Sequence, residues 1–128
     1  MSEMSNYLEN ALINVTLRAT AYTAPTTVYV ALFTTDPTDA GSGTEVTGGS
    51  YARTAVTMGA PSNGVSLNSA DVTFPTATAS WGTVGWIGIN DASTSGNLLY
   101  HSPLDTSKTI DSGDIFKIST GNLSITLA

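Results

Sequence analysis

Turn-forming clusters punctuate most of this chain at intervals of about ten residues, which leaves room between them only for short strands. Ser62-Asn63-Gly64, Ser95-Gly96-Asn97 and Asp111-Ser112-Gly113-Asp114 are such clusters. The segments they separate carry β periodicity. Leu123, Ile125 and Leu127 alternate with Ser124 and Thr126, and Ala52, Thr54, Val56 and Met58 alternate within 51–58. The run 28–34 is apolar on both faces, which predicts a strand covered on both sides. Further short strands are predicted at 65–67, 71–74, 83–90, 98–102 and 115–119. Within 83–90, Gly85 and Gly88 interrupt Val84, Trp86, Ile87 and Ile89, a sign of a bulge or of close approach by another backbone. Seven or eight short strands at this spacing predict a mainly β fold, an antiparallel β-sandwich of jelly-roll-like form or a small barrel.

One segment has helical periodicity instead. Met4, Tyr7, Leu8, Ala11, Leu12 and Val15 fall on one stripe of a 3.6-residue repeat. The spacing predicts an amphipathic helix over about 3–20, capped by Ser2 or Ser5. Glu3 and Glu9 lie toward its positive end and Arg18 toward its negative end. A polar stretch at 35–50, with Pro37 and four glycines, exceeds an ordinary hairpin connection and is a candidate contact loop. No repeat or linker divides the chain, so residues 1–128 are expected to form a single domain.

Composition bounds the function. Only 11% of residues are charged, against about 25% in an average soluble domain. The polar surface is supplied by 21 Thr and 15 Ser, and Thr favours half-exposed strands. At 41% apolar the chain is expected to fold rather than stay disordered. The net charge is −6, and Arg18, Arg53, Lys108 and Lys117 stand singly, which argues against a nucleic-acid partner. No apolar run reaches the roughly 18 residues of a membrane span, and none follows a basic N-terminus as in a signal peptide. The expectation is a protein with no membrane partner, made in a cytoplasm.

The residues that carry chemistry are sparse. There is no Cys, which removes disulfides and thiolate metal sites. The single His, His101, lies in a strand with no nucleophile elbow to serve, so a structural or exposed role is expected. Asp91, Asp111 and Asp114 sit at turns, where such side chains bond their own backbone. Asp36, Asp39 and Glu45 offer oxygens but do not match a calcium-loop spacing, so a solvated loop is expected. The glycines at 41–49 are not followed by a phosphate-loop lysine. Two glycosylation-type triplets, at Asn14 and Asn122, are read as chance. Trp86, in an apolar strand, is expected in the core, and Trp81, between Ser80 and Gly82, is expected exposed at an edge. No catalytic residue, cofactor site or metal site is predicted, and the chain is read as non-enzymatic.

Three strings carry a resemblance: Gly49-Ser50-Tyr51-Ala52-Arg53, Ala70-Asp71-Val72-Thr73-Phe74-Pro75, and Ala77-Thr78-Ala79-Ser80-Trp81-Gly82-Thr83-Val84. With Val28-Tyr29-Val30-Ala31-Leu32-Phe33 followed by Asp36-Pro37-Thr38, the Ser112-Gly113-Asp114 turn and the alternating last strand, the chain resembles a family of short tailed-bacteriophage proteins. These are labelled tail-fibre-like or virion structural proteins. The resemblance implies a place in the virion beside other virion proteins, and it transfers no functional residue. By analogy with fibre modules and capsid-decorating proteins, a homotrimer is expected. Compactness puts capsid decoration, by contact with the major capsid protein, first. A tail-fibre, receptor-binding or adaptor subunit is the alternative. The candidate subunit contacts are Tyr7, Leu8, Leu12 and Val15 on the helix, Asp36 and Glu45 in the loop, and Trp81.

Overall fold

Strands form here because β-favouring side chains alternate along short runs, and they pair because buried backbone N–H and C=O groups require partners. The computed structural model describes residues 2–127. Among them are nine strands and one helix: β1 (Glu3–Met4), α1 (Asn6–Leu17), β2 (Val28–Phe33), β3 (Thr54–Val56), β4 (Val65–Leu67), β5 (Val72–Thr73), β6 (Gly82–Asn90), β7 (Leu98–Ile110), β8 (Lys117–Ile118) and β9 (Ser124–Thr126). A five-stranded antiparallel sheet, in the order β1-β7-β6-β2-β3, is the central layer. The pairs β4-β9 and β5-β8 are separate two-stranded antiparallel ladders.

One face of the central sheet holds the main core. Val30 and Leu32 of β2 and Val84, Ile87 and Ile89 of β6 pack with Val72, Phe74, Phe116 and Leu123 from the small ladders and their flanks. Phe74 and Phe116 meet edge to face, with centroids 5.5 Å apart. The other face is covered as well. Ala31, Phe33, Leu98, Leu99 and Leu8 of α1 are all buried outside that core. This confirms β2 as a strand covered on both sides and makes the mainly β, helix-capped expectation correct.

The bulge expected in β6 is present, whereas the close approach at Gly88 is made by side chains rather than by another backbone. The β6–β7 register slips between Val84 and Trp86, so residues 104–107 of β7 bulge opposite Gly85. At Gly88, a Cβ would lie 2.7 Å from Leu98 Cδ1 and 2.8 Å from Phe33 Cε1. The glycine lets two large side chains close over the sheet.

Three boundaries differ from the periodicity. Glu3 and Met4 are not helical; they pair with His101 and Tyr100 along the edge of β7. The open backbone of that edge strand outcompetes helix propensity. Ser5 is then the N-cap, its Oγ accepting from the Leu8 N–H at 3.2 Å. At the other end α1 stops at Leu17, and Ala19 turns left-handed at φ 54° without the glycine that commonly marks a helix end. Strand β7 runs to Ile110, beyond the expected end at 102, because the bulge accommodates Pro103. A side-chain hydrogen bond brings the ends of the described chain together, the Thr126 N–H donating to Ser2 Oγ at 3.0 Å.

Leu8 is the only buried residue of α1, at 5% exposure. Leu8→Asp is expected to cost about 3 kcal/mol or more, combining lost burial with a stranded carboxylate. Ile13→Asp, at a position 53% exposed, is expected to stay within about 0.5 kcal/mol of the parent. Urea denaturation midpoints of the two variants measure the difference.

Candidate functional site

The 35–50 segment is not a free loop. Asp36 Oδ1 accepts from the Thr38 N–H at 2.9 Å and starts a tight turn around the buried Pro37. The chain returns to β2 where Glu45 bridges Phe33, and the Val46 N–H donates to Leu32 O at 3.0 Å. Glu45 is thereby fixed beside Arg53. The guanidinium grips it with two donors, Nε to Oε2 and Nη2 to Oε1, both at 2.9 Å. The third Arg53 nitrogen, Nη1, donates to Ala92 O at 3.0 Å and Ser95 O at 2.7 Å, tying in the turn before β7.

Tyr51 completes this brace. Its hydroxyl donates to Glu45 Oε2 at 2.7 Å and accepts from the Leu32 N–H at 3.0 Å. Its ring stands edge-on to Trp81, with centroids 5.4 Å apart. Trp81 is therefore not an edge residue. It is 4% exposed, belongs to the main core, and its indole N–H donates to Gly49 O at 2.9 Å. Trp86 is the half-buried one, outside that core, paired across from Phe33 and Pro103. The expected roles of the two tryptophans are reversed. The reason lies in segments distant in sequence: the Trp81 backbone N–H bonds Ile110 O at the mouth of β6, and its indole N–H is held by Gly49 O.

The candidate contacts thus separate. Leu8 and Trp81 are spent on the chain's own interior, and Glu45 is committed to Arg53 and Tyr51. Leu12 is half-buried, while Tyr7 and Val15 are 41% and 40% exposed and Asp36 is exposed. The most exposed apolar residues of α1 were missed by the stripe: Ile13 and Leu17, at 53% and 78%. Four residues apart, they share a face turned away from Leu8. A search for a second i, i+4 apolar pair would have found them.

His101 takes the structural one of its two expected roles. It is 5% exposed and faces carboxylates rather than standing without a partner. Its Nε2 lies 2.8 Å from Asp39 Oδ1 and 3.8 Å from Glu3 Oε2, and its Nδ1 lies 4.0 Å from Asp36 Oδ1. These groups come from β7, β1 and the 35–50 segment, so no sequence spacing reveals them. The turn aspartates behave as expected: Asp91 Oδ1 accepts from the Asn97 N–H at 2.7 Å, and Asp114 Oδ2 from the Asp111 N–H at 2.9 Å.

Burial on its own would raise the Glu45 carboxyl, but hydrogen bonds from Arg53 and Tyr51 and the guanidinium charge outweigh it and hold the group below its ordinary 4.5. Its stabilising contribution is complete above that ordinary value and is lost as pH falls through the lowered folded value. Glu45→Gln is therefore expected to weaken the fold near neutral pH and to flatten the acid limb of the stability profile. Urea midpoints for both proteins, taken from neutral pH down to about 2, check this; parallel curves would remove the brace from acid stability.

Among the described residues no helix is long and apolar enough to cross a membrane. No curated protein sequence matches the chain. A protein-family model does, described as podophage GP4 fiber I protein gp80, over residues 3–126. That span takes in the paired β1 edge, α1, the Glu45–Arg53–Tyr51 brace and the last strand. The chain belongs to the family of the podophage GP4 fiber I protein gp80, and is a phage fibre-type structural protein of the virion.

Proposed function

We propose that this chain is a non-enzymatic subunit of a phage tail fibre, joined to neighbouring fibre subunits through the exposed face of α1. Family membership carries the fibre assignment, and it favours the tail over the capsid surface that compactness put first. A helix whose buried side is one leucine and whose outer side shows Ile13 and Leu17 suits a part completed by assembly. The non-enzymatic reading is supported by the spent chemistry: the His101 ring faces carboxylates rather than a hydroxyl, and Glu45 is held by Arg53. Trimeric assembly, the arrangement expected by analogy with other fibre modules, belongs to this proposal.

The test is location and stoichiometry in intact particles. Gold labelling confined to the tail, with a copy number matching the fibres, is expected. Labelling across the head in proportion to the capsid lattice would return the chain to a decoration role. Leu17→Asp is expected to leave the urea midpoint of the isolated chain within about 0.5 kcal/mol of the parent while reducing its incorporation into particles at least tenfold. Normal incorporation would remove α1 from the interface.

A further inference from the structure

We propose that Glu3, Asp39 and His101 bind one first-row transition dication of the Zn2+ type, which fastens the N-terminal segment to the sheet. One ligand atom from each residue lies within 4.8 Å of the others. An ion about 2.0–2.2 Å from each of two ligands holds those ligands about 3–3.5 Å apart. The observed Nε2 separations, 2.8 Å to Asp39 and 3.8 Å to Glu3, bracket that span. The imidazole is almost wholly enclosed and fixed on β7, whereas the two carboxylate side chains are 47% and 64% exposed and free to adjust by rotation.

The far edge of the ring supplies the second observation. Nδ1 points toward Asp36 Oδ1 at 4.0 Å. With an ion on Nε2 the ring's proton sits on Nδ1, and the Asp36 carboxylate, beyond direct hydrogen-bond reach, favours it there through its charge. Electrostatics agree: three carboxylates surround one imidazole, and a dication relieves their repulsion. Imidazole with carboxylates selects Zn2+ or its neighbours over Ca2+ and Mg2+, which take oxygen ligands. Without metal, Nε2–H donates to Asp39; on binding, the neutral ring changes tautomer, its single proton passing through solvent from Nε2 to Nδ1, and the ion takes the freed Nε2 lone pair.

Placement gives the ion its role. Glu3 lies directly opposite His101 in the β1–β7 pair, and the Asp39 carbonyl accepts the Asn6 N–H at 2.8 Å at the start of α1. One ion would join β1, the entrance to α1, the 35–50 segment and β7.

Titration of the metal-free chain with ZnCl2, by calorimetry and by thermal unfolding, tests this. One equivalent is expected to bind with micromolar or tighter Kd, raising Tm by about 5–10 °C at 100-fold excess over Kd, reversibly with EDTA. CaCl2 at equal concentration is expected to leave Tm unchanged. His101→Ala removes binding but risks the fold, so the surface variants Asp39→Asn and Glu3→Gln are decisive, each expected to weaken Zn2+ at least tenfold. Asp36→Asn is expected to weaken it about 10–100-fold through the ring. Nitrogen NMR of the imidazole is expected to show Zn2+ on Nε2. The proposal falls if the parent shows no Zn2+-dependent rise in Tm, as it would if a proton on His101 balances the carboxylates. It also falls if Ca2+ acts equally, or if Asp39→Asn and Glu3→Gln bind as the parent does.

Discussion

The fork between Arg53 and Glu45 is the contact on which the arrangement of the loops depends. Two parallel charge-assisted bonds fix the return of the 35–50 segment to β2, and the same guanidinium holds the turn before β7. Tyr51 carries that order inward, because its hydroxyl belongs to the brace and its ring lies against Trp81 and Phe74. A surface ion pair contributes little, and one this enclosed is costly to leave half-made. Here the pair is linked to a backbone N–H of the central strand through the Tyr51 hydroxyl, so losing Glu45 removes the acceptor that orients the hydroxyl toward the Leu32 amide.

That coupling explains why the motif string 49–53 is what it is. Gly49 is held at φ 56°, and a Cβ there would lie 2.9 Å from the Trp81 indole nitrogen that bonds its carbonyl. Tyr51 and Arg53 are two residues apart, as in an extended chain that points both side chains to one side. Within the recognisable strings, Val72, Phe74, Ala77, Trp81 and Val84 are buried and supply core, while most of their neighbours are exposed.

Much of the fold was legible because its signals are local. Alternation, turn clusters and the apolar run of β2 depend on neighbours in sequence, and the two glycines of β6 announced a bulge and a close approach. What escaped depends on contacts between distant segments. The edge of β7 captured Glu3 and Met4 from a helix pattern, and bonds to Ile110 O and Gly49 O hold Trp81 inward. The His101 environment joins residues from three separated segments. Of the candidate contacts, Tyr7 and Val15 remain at the surface, whereas Leu8 and Trp81 are interior and Ile13 and Leu17 had gone unnoticed. Hydrophobic periodicity tells which side chains share a face, and not which of two apolar faces the core takes.

The hydrogen bond between Ser2 and Thr126 has an engineering consequence. The two ends of the described chain meet at one corner, so a short linker could join them with little closure entropy. New ends could then be opened in the exposed turn at Ser112, past the end of β7 remote from its pairing with β1, giving a circular permutant with the same sheet. Such a permutant would let a reporter be moved from the corner beside β1 to a distant turn, while both proteins keep one and the same interior.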